Sequence, residues 1–268
     1  MTEVQEKLLD MLSWFHRLCV ENNLRYYAIG GTMLGAQRHQ GFIPWDDDID
    51  VGMPREDIEK LERIISKDNS ERYVFETPET EEKDYFYPFY KLYDTSTTLI
   101  ENTKRAIKRG IYIDIFPLDG TGSTLEESQR HYKKVKFLDN LLMAKVAGFR
   151  KGRKFYKNLV VALFRLIPIN DKKILHRLVK QCKKIKWDDS VWGGNLVGAW
   201  GTREIMPIEV FGTPQAYKFE NTEIFGVKKA DEYLEHLYGD WKKLPPKEKQ
   251  VSHHDYITID LNKSYLDD

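Results

Sequence analysis

Cysteine is nearly absent from these 268 residues. Cys19 and Cys182 stand far apart and outside any CxxC pair. That excludes a disulfide framework and a cysteine-built zinc site, and predicts that each thiol is a small buried apolar residue. Net charge is absent too: 42 basic side chains balance 42 acidic ones. A general nucleic-acid binder carries a basic surplus, so zero net charge argues against that class. No apolar run approaches the ~20 residues of a membrane span. The first residues lack the basic-then-apolar order of a signal peptide. These absences predict a cytoplasmic protein. Internal repeats, low-complexity segments and a clear domain linker are missing as well. Aromatics are not scarce. At 13% of the chain they predict an ordered globular fold, of one large domain or two small ones.

What is there centres on Gly41-Phe42-Ile43-Pro44-Trp45-Asp46-Asp47-Asp48-Ile49-Asp50-Val51-Gly52. Four carboxylates within five residues repel one another, so water, basic side chains or a divalent cation must compensate. Asp48-Ile49-Asp50-Val51 alternates polar and apolar, which is strand periodicity. On a strand, Asp48 and Asp50 share one face while Ile49 and Val51 take the other. Two carboxylates on one face suit a hard cation with oxygen ligands. An acidic solvated loop is the plain alternative, but it does not need the interleaved Ile49 and Val51. A calcium loop of the EF-hand kind is excluded: Val51 stands where Gly is needed, and no Glu closes the loop.

Upstream, Val4, Leu8, Met11, Leu12, Phe15, Leu18 and Cys19 recur at helical spacing, predicting a helix over residues 2–22. A strand is expected from Leu24 to Ile29, running into Gly30-Gly31-Thr32. Two glycines at a strand end let the backbone approach a ligand closely. A helix opening at Thr32 would aim its free amides at an anion such as phosphate. Arg38 is a candidate phosphate clamp, with surface charge as the plain reading.

Downstream, a helix is expected after Met53-Pro54, buried through Ile58, Leu61, Ile64 and Ile65. Strands are expected at residues 73–76 and in the aromatic run Tyr85 to Tyr93, where Pro88 favours an edge. That run, with Trp45, is core or an ammonium cage. Ile111-Tyr112-Ile113-Asp114-Ile115-Phe116 alternates again, leaving Asp114 opposite three isoleucines. A buried lone Asp is costly unless paired or metal-bound. Asp119-Gly120 reads as a turn. Residues 125–185 read as helical and basic, interrupted at Pro168. Within them, 145–167 combine a basic end with an apolar face. They predict either a packed helix or peripheral contact with an anionic membrane. Residues 187–215 read as irregular, Phe219 to Val227 as a hairpin, and Asp231 to Tyr238 as a helix ended by Gly239. His253 and His254 close the set of candidates.

The parts come in a telling order: strand, Gly-Gly, helix, strand with Asp48 and Asp50, later strand with Asp114. This resembles the nucleotidyltransferase fold, in which three carboxylates on neighbouring strands hold one or two magnesium ions over phosphates. The likeness extends further. Ala28-Ile29-Gly30-Gly31-Thr32-Met33-Leu34-Gly35, Arg38-His39, Ile43 to Asp50, and Ile113 to Asp119 together resemble the LicD family. So do Tyr233-Leu234, Tyr238-Gly239-Asp240 and Leu244-Pro245-Pro246. The resemblance implies an α/β (α+β) fold, with a nucleotidyltransferase-like core over residues 1–125 and a helical and irregular part over 126–268. It implies transfer of phosphocholine from CDP-choline to a sugar of teichoic acid or lipopolysaccharide type, with release of CMP. The acceptor would be a glycan built on a lipid carrier at the inner membrane face. Asp48, Asp50 and Asp114 would ligate Mg2+. Gly30, Gly31 and Thr32 would hold phosphate, with Arg38 and Lys91 as further contacts. Asp46 and Asp47 would orient water or ligands, and Trp45 and Tyr85 would meet choline. The base that takes the acceptor proton is left open among the aspartates, His253 and His254. Two other readings are kept: a nucleotidyltransferase acting on a small molecule, and a non-catalytic glycan- or choline-binding protein.

Overall fold

A computed structural model describes residues 1–67, 72–80, 85–102, 107–146, 170–252 and 256–267. Helix α1 (Glu3–Glu21) starts on a capping box, in which Thr2 and Gln5 exchange side-chain and backbone bonds. It buries Leu8, Met11, Leu12, Phe15 and Cys19, the stripe its periodicity predicts. Then come β1 (Tyr27–Ala28), α2 (Gly30–His39), β2 (Asp50–Pro54), α3 (Arg55–Ile65), β3 (Tyr73–Glu76), β4 (Tyr90–Asp94), β5 (Thr98–Glu101), β6 (Lys108–Arg109) and β7 (Tyr112–Gly122). The second half supplies α4 (Leu125–Val146), α5 (Asp171–Cys182), β8 (Trp192–Asn195), β9 (Ile205–Pro207), α6 (Ile208–Phe211), β10 (Gln215–Phe219), β11 (Thr222–Gly226), α7 (Ala230–Tyr238) and β12 (Tyr256–Asp260).

The fold is a mixed α/β arrangement, as the sequence predicts. The main sheet runs β10-β11-β1-β2-β7-β4-β3, with β8 on the far end of β7 and β9 beyond it. Strand β7 organises it. Its first half pairs with β4, its far end pairs with β8, and β2 lies parallel along its other side. A smaller sheet holds β12, β5 and β6. Most of the apolar core lies on the main sheet and includes Cys19. Helices α4 and α5 bury a second cluster, around Val135, Leu142, Leu178 and Cys182. Both cysteines are thus buried and free.

Several expectations shift. Asp119-Gly120 is not a turn but lies inside β7. The Arg55 guanidinium grips buried Asp119 with two bonds, Nε at 2.5 Å and Nη2 at 2.9 Å, and this pairing lets a carboxylate sit in a strand. Gly120 is required there because a Cβ would fall 2.3 Å from the Lys186 carbonyl oxygen. The aromatic run forms a strand only from Tyr90, so Pro88 stays outside it. Residues 187–215 are more regular than their composition suggests, since they hold β8 and β9, while the hairpin expected at Phe219 to Val227 forms as β10 and β11. The basic segment lies outside the described residues apart from Lys145 and Val146, which end α4. Among the described residues no helix is long and apolar enough to cross a membrane.

Candidate functional site

Three adjacent strands set the centre of the site. In the β2–β7 ladder Asp50 lies beside Asp114, and in the β7–β4 ladder Asp114 lies beside Lys91. Directly paired residues point to the same face of a sheet, so two carboxylates and one ammonium line up in a row. Ile49, Val51, Ile113 and Ile115 are buried on the opposite side of the alternation. Burial of that set fixes the register, since a one-residue slip would turn every aspartate inward. Asp48 departs from expectation. Strand β2 begins at Asp50, because pairing with β7 starts there and pairing with β1 covers only Val51 and Gly52. Asp48 therefore enters from the preceding loop, half-buried.

The Gly-Gly turn lies against this row. Helix α2 starts at Gly30, two residues before the expected Thr32, with no side chain capping it. Gly30 has φ +54°, a left-handed conformation that favours glycine. A Cβ there would stand 3.5 Å from Asp50 Oδ2 and 3.9 Å from the Tyr238 hydroxyl. A Cβ on Gly31 would stand 2.9 Å from Asp46 Oδ2. The Gly30 amide donates to the Tyr233 hydroxyl at 3.0 Å. The Thr32 hydroxyl accepts from the Asp50 amide at 2.9 Å, tying the turn to the acidic strand.

The other sequence candidates fall around the rim. Arg38, near the end of α2, donates from Nη1 to the Trp241 carbonyl at 2.9 Å and from Nε to His39 Nε2 at 3.0 Å. Trp45 is half-buried against the main core. The Asp46 carbonyl accepts from Gln5 at 2.8 Å. Both carboxylate oxygens of Asp47 accept from the Ser252 hydroxyl at 2.9 Å, which draws the C-terminal segment to the acidic run. His253 and His254 follow Ser252 and lie outside the described residues.

The aromatic run surrounds a cation that belongs to the chain itself. Lys91 Nζ lies 3.3 Å from the centroid of Tyr112, 4.7 Å from that of Tyr87 and 5.6 Å from that of Phe89. The Tyr87 and Tyr112 hydroxyls both donate to the Glu101 carboxylate, Tyr87 at 2.8 Å. Tyr85 is fully buried and its hydroxyl donates to the Phe89 carbonyl at 2.6 Å.

Charge is concentrated here. Burial lifts Asp50 well above the usual carboxylate range, and Asp48 and Asp114 lift it further while Lys91 opposes them. Asp114 is pushed up to about 6, again chiefly by burial, although Lys91 Nζ lies 2.7 Å from its Oδ1. That contact is an ion pair. Burial therefore outweighs the lysine. Glu204, in the turn before β9, is raised to about 7 by burial, against bonds from the Trp200 amide and the Asn195 side chain. It adds to the negative field on Asp50.

Among the described residues, no three His, Cys, Asp or Glu side chains are gathered closely enough to hold a metal as they stand. Asp50 and Asp114 are nonetheless oxygen donors of the right chemistry on one face. Sequence reasoning missed Glu101, Tyr112 and Glu204 as neighbours of the centre. Glu101 reaches it from the smaller sheet and Glu204 from beyond β8, and neither is signalled by local pattern. Tyr233 and Tyr238 had a signal, since both stand in the stretches that resemble the family.

A family model described as "LicD/FKTN/FKRP, nucleotidyltransferase domain" matches residues 23–150. Over 261 residues the chain is 31% identical to the lipopolysaccharide cholinephosphotransferase LicD of Haemophilus influenzae, spanning 94% of this chain and 95% of that protein. The chain belongs to the LicD family. Two shorter likenesses agree with that. The uncharacterized protein RP689 of Rickettsia prowazekii is 45% identical over 58 residues, 22% of each chain. The ribitol 5-phosphate transferase FKRP of Homo sapiens is 46% identical over 41 residues, 15% of this chain and 8% of that protein. The family match takes in the Gly-Gly turn, the acidic run, Lys91 and Asp114. In this LicD-family chain Tyr233, Tyr238 and Glu204 join them from outside the matched span.

Proposed function

We propose that this chain transfers phosphocholine from CDP-choline to a sugar hydroxyl of a cell-surface glycan precursor, of lipopolysaccharide or teichoic acid type, and releases CMP. The likeness to a cholinephosphotransferase over nearly the whole of both chains carries this reading. The pairing of Asp50 with Asp114 beside the Gly30 turn agrees with it. Asp48, Asp50 and Asp114 are the residues that would hold Mg2+, Asp48 by closing in from its loop. Bound there, the cation would neutralise phosphate charge and steady the attacking and leaving oxygens.

The chain's own residues supply the rest. Gly30 and Gly31 let a diphosphate approach the start of α2, where backbone dipoles favour an anion. Arg38 stands at the other end of that helix as a further phosphate contact. In the transfer, the acceptor oxygen bonds to the phosphorus that carries choline, and the bond from that phosphorus to the CMP oxygen breaks. The acceptor proton passes to a base drawn from the aspartates of the centre, His253 and His254.

The test is turnover of CDP-choline, CDP-ethanolamine, CDP-glycerol and CDP-ribitol with a lipopolysaccharide-derived acceptor and Mg2+, read as CMP release. CMP from CDP-choline above the others supports the proposal. Preference for another CDP-alcohol overturns the donor. The matched model is described as a nucleotidyltransferase domain, which favours nucleotidyl transfer as the second reading. Release of pyrophosphate from CTP, without CMP release from any CDP-alcohol, would select it.

A further inference from the structure

We propose that Lys91 is a resident counter-cation of the acidic centre. In this role it is a positioning residue that holds Asp114 paired and aimed beside Asp50, not a contact for substrate phosphate. The inference rests on the reading above that the centre takes a divalent cation. Lys91 is 2% exposed. Its ammonium lies 2.7 Å from Asp114 Oδ1 and directly over the face of Tyr112, with Tyr87 and Phe89 on further sides. An ammonium enclosed by three rings and a carboxylate has no open side from which to meet a phosphate. Ring faces attract a cation strongly once water is excluded. Two of those rings are fixed from behind by Glu101, whose carboxylate accepts from both tyrosine hydroxyls. Glu101 ends β5, so the smaller sheet braces the cage from outside the main one.

The pairing gives the device its purpose: Lys91 sets its positive charge against Asp114, the middle member of the row. Lys91 also fixes which Asp114 oxygen is spoken for. Oδ1 faces the ammonium. The other oxygen is left for the cation. Cross-strand register makes the arrangement rigid, since Lys91, Asp114 and Asp50 are direct neighbours across β4, β7 and β2.

The test uses Lys91→Met, Asp114→Asn and the double variant in the full chain. Met fits an aromatic cage without charge. Melting temperatures are read in EDTA and in Mn2+, and CDP-choline turnover is measured in parallel. Lys91→Met should melt roughly 5 °C or more below wild type in EDTA, because Asp114 is left charged and unpaired. Mn2+ should raise the melting temperature of Lys91→Met more than that of wild type, since the metal alone then neutralises the centre. The same Lys91→Met change should cost less in the Asp114→Asn background. In turnover, kcat should fall about tenfold or more, with a smaller change in KM for CDP-choline. Equal melting losses in EDTA, in Mn2+ and in the Asp114→Asn background would mean a packing role and overturn the proposal. An unchanged melting temperature with a raised KM would also overturn it, in favour of a phosphate contact. If Lys91→Met does not fold, recovery of a folded double variant supports the pairing and failure of both variants overturns it. If wild type shows no Mn2+ response, the metal reading fails, and the cycle in EDTA still decides the Lys91–Asp114 pairing.

Discussion

Replacing Asp50 by Asn should stabilise the metal-free protein and abolish its proposed activity. The carboxylate lies directly beside Asp114, on strands about 5 Å apart. Two full charges at that spacing repel by about 3 kcal/mol at an effective dielectric of about 20. Lys91 and nearby water screen part of this, so the relief from Asp50→Asn is on the order of 1–3 kcal/mol. For a chain of this size that raises the melting temperature by roughly 2–12 °C. The pH dependence has a definite sign. Burial and its neighbours raise Asp50 above its ordinary value, so its ionisation destabilises the fold at high pH. The gain from Asn is therefore largest near pH 8. It shrinks as pH falls through about 4 and is gone near ~3, where Asp50 is mostly protonated both folded and unfolded. The assay is thermal unfolding in EDTA across that range. CMP release at saturating Mg2+ should fall on the order of a hundredfold or more. A melting temperature equal to or below wild type at pH 8, or a gain that does not vary with pH, would refute the electrostatic argument.

Further outcomes follow from the same geometry. Burial pushes Asp114 up to about 6, so Mn2+ affinity measured by calorimetry should fall as pH drops through that value, by up to about tenfold per unit. A flat affinity from pH 5 to 8 would remove Asp114 from the metal site. Arg55→Met leaves Asp119 buried and unpaired, and should cost about 3–5 kcal/mol in urea unfolding. Arg55→Met with Asp119→Asn should cost clearly less. Tyr233→Phe removes the acceptor of the Gly30 amide, and should lower stability by about 1–3 kcal/mol and reduce kcat. Wild-type behaviour in both would detach α7 from the site. Finally, the basic and apolar segment at residues 145–167 predicts binding to anionic vesicles that fades with salt. Supernatant recovery at low salt would refute a membrane role for it.

By itself the sequence determined most of what is local or periodic. The stripe from Leu8 to Cys19 predicts α1, the alternation around Asp114 predicts β7, and Gly239 marks the end of α7. Gly30-Gly31 and the aspartate run identified the centre, because crowded like charges are costly and paired glycines at a strand end leave room for a ligand. Tertiary structure decided what depends on which distant residue arrives. Whether Asp119 is a turn or a strand residue hangs on Arg55, which stands 64 positions earlier. Whether the aromatic run cages choline or a lysine hangs on strand register, which places Lys91 beside Asp114 and under Tyr112. Strands β8 and β9 were hidden because Gly and Trp carry no clear two-residue period, and only pairing with β7 and with each other makes them strands. Local pattern records which face a side chain prefers. It does not record the neighbour on the next strand, and in a site built from crowded charge that neighbour sets the chemistry.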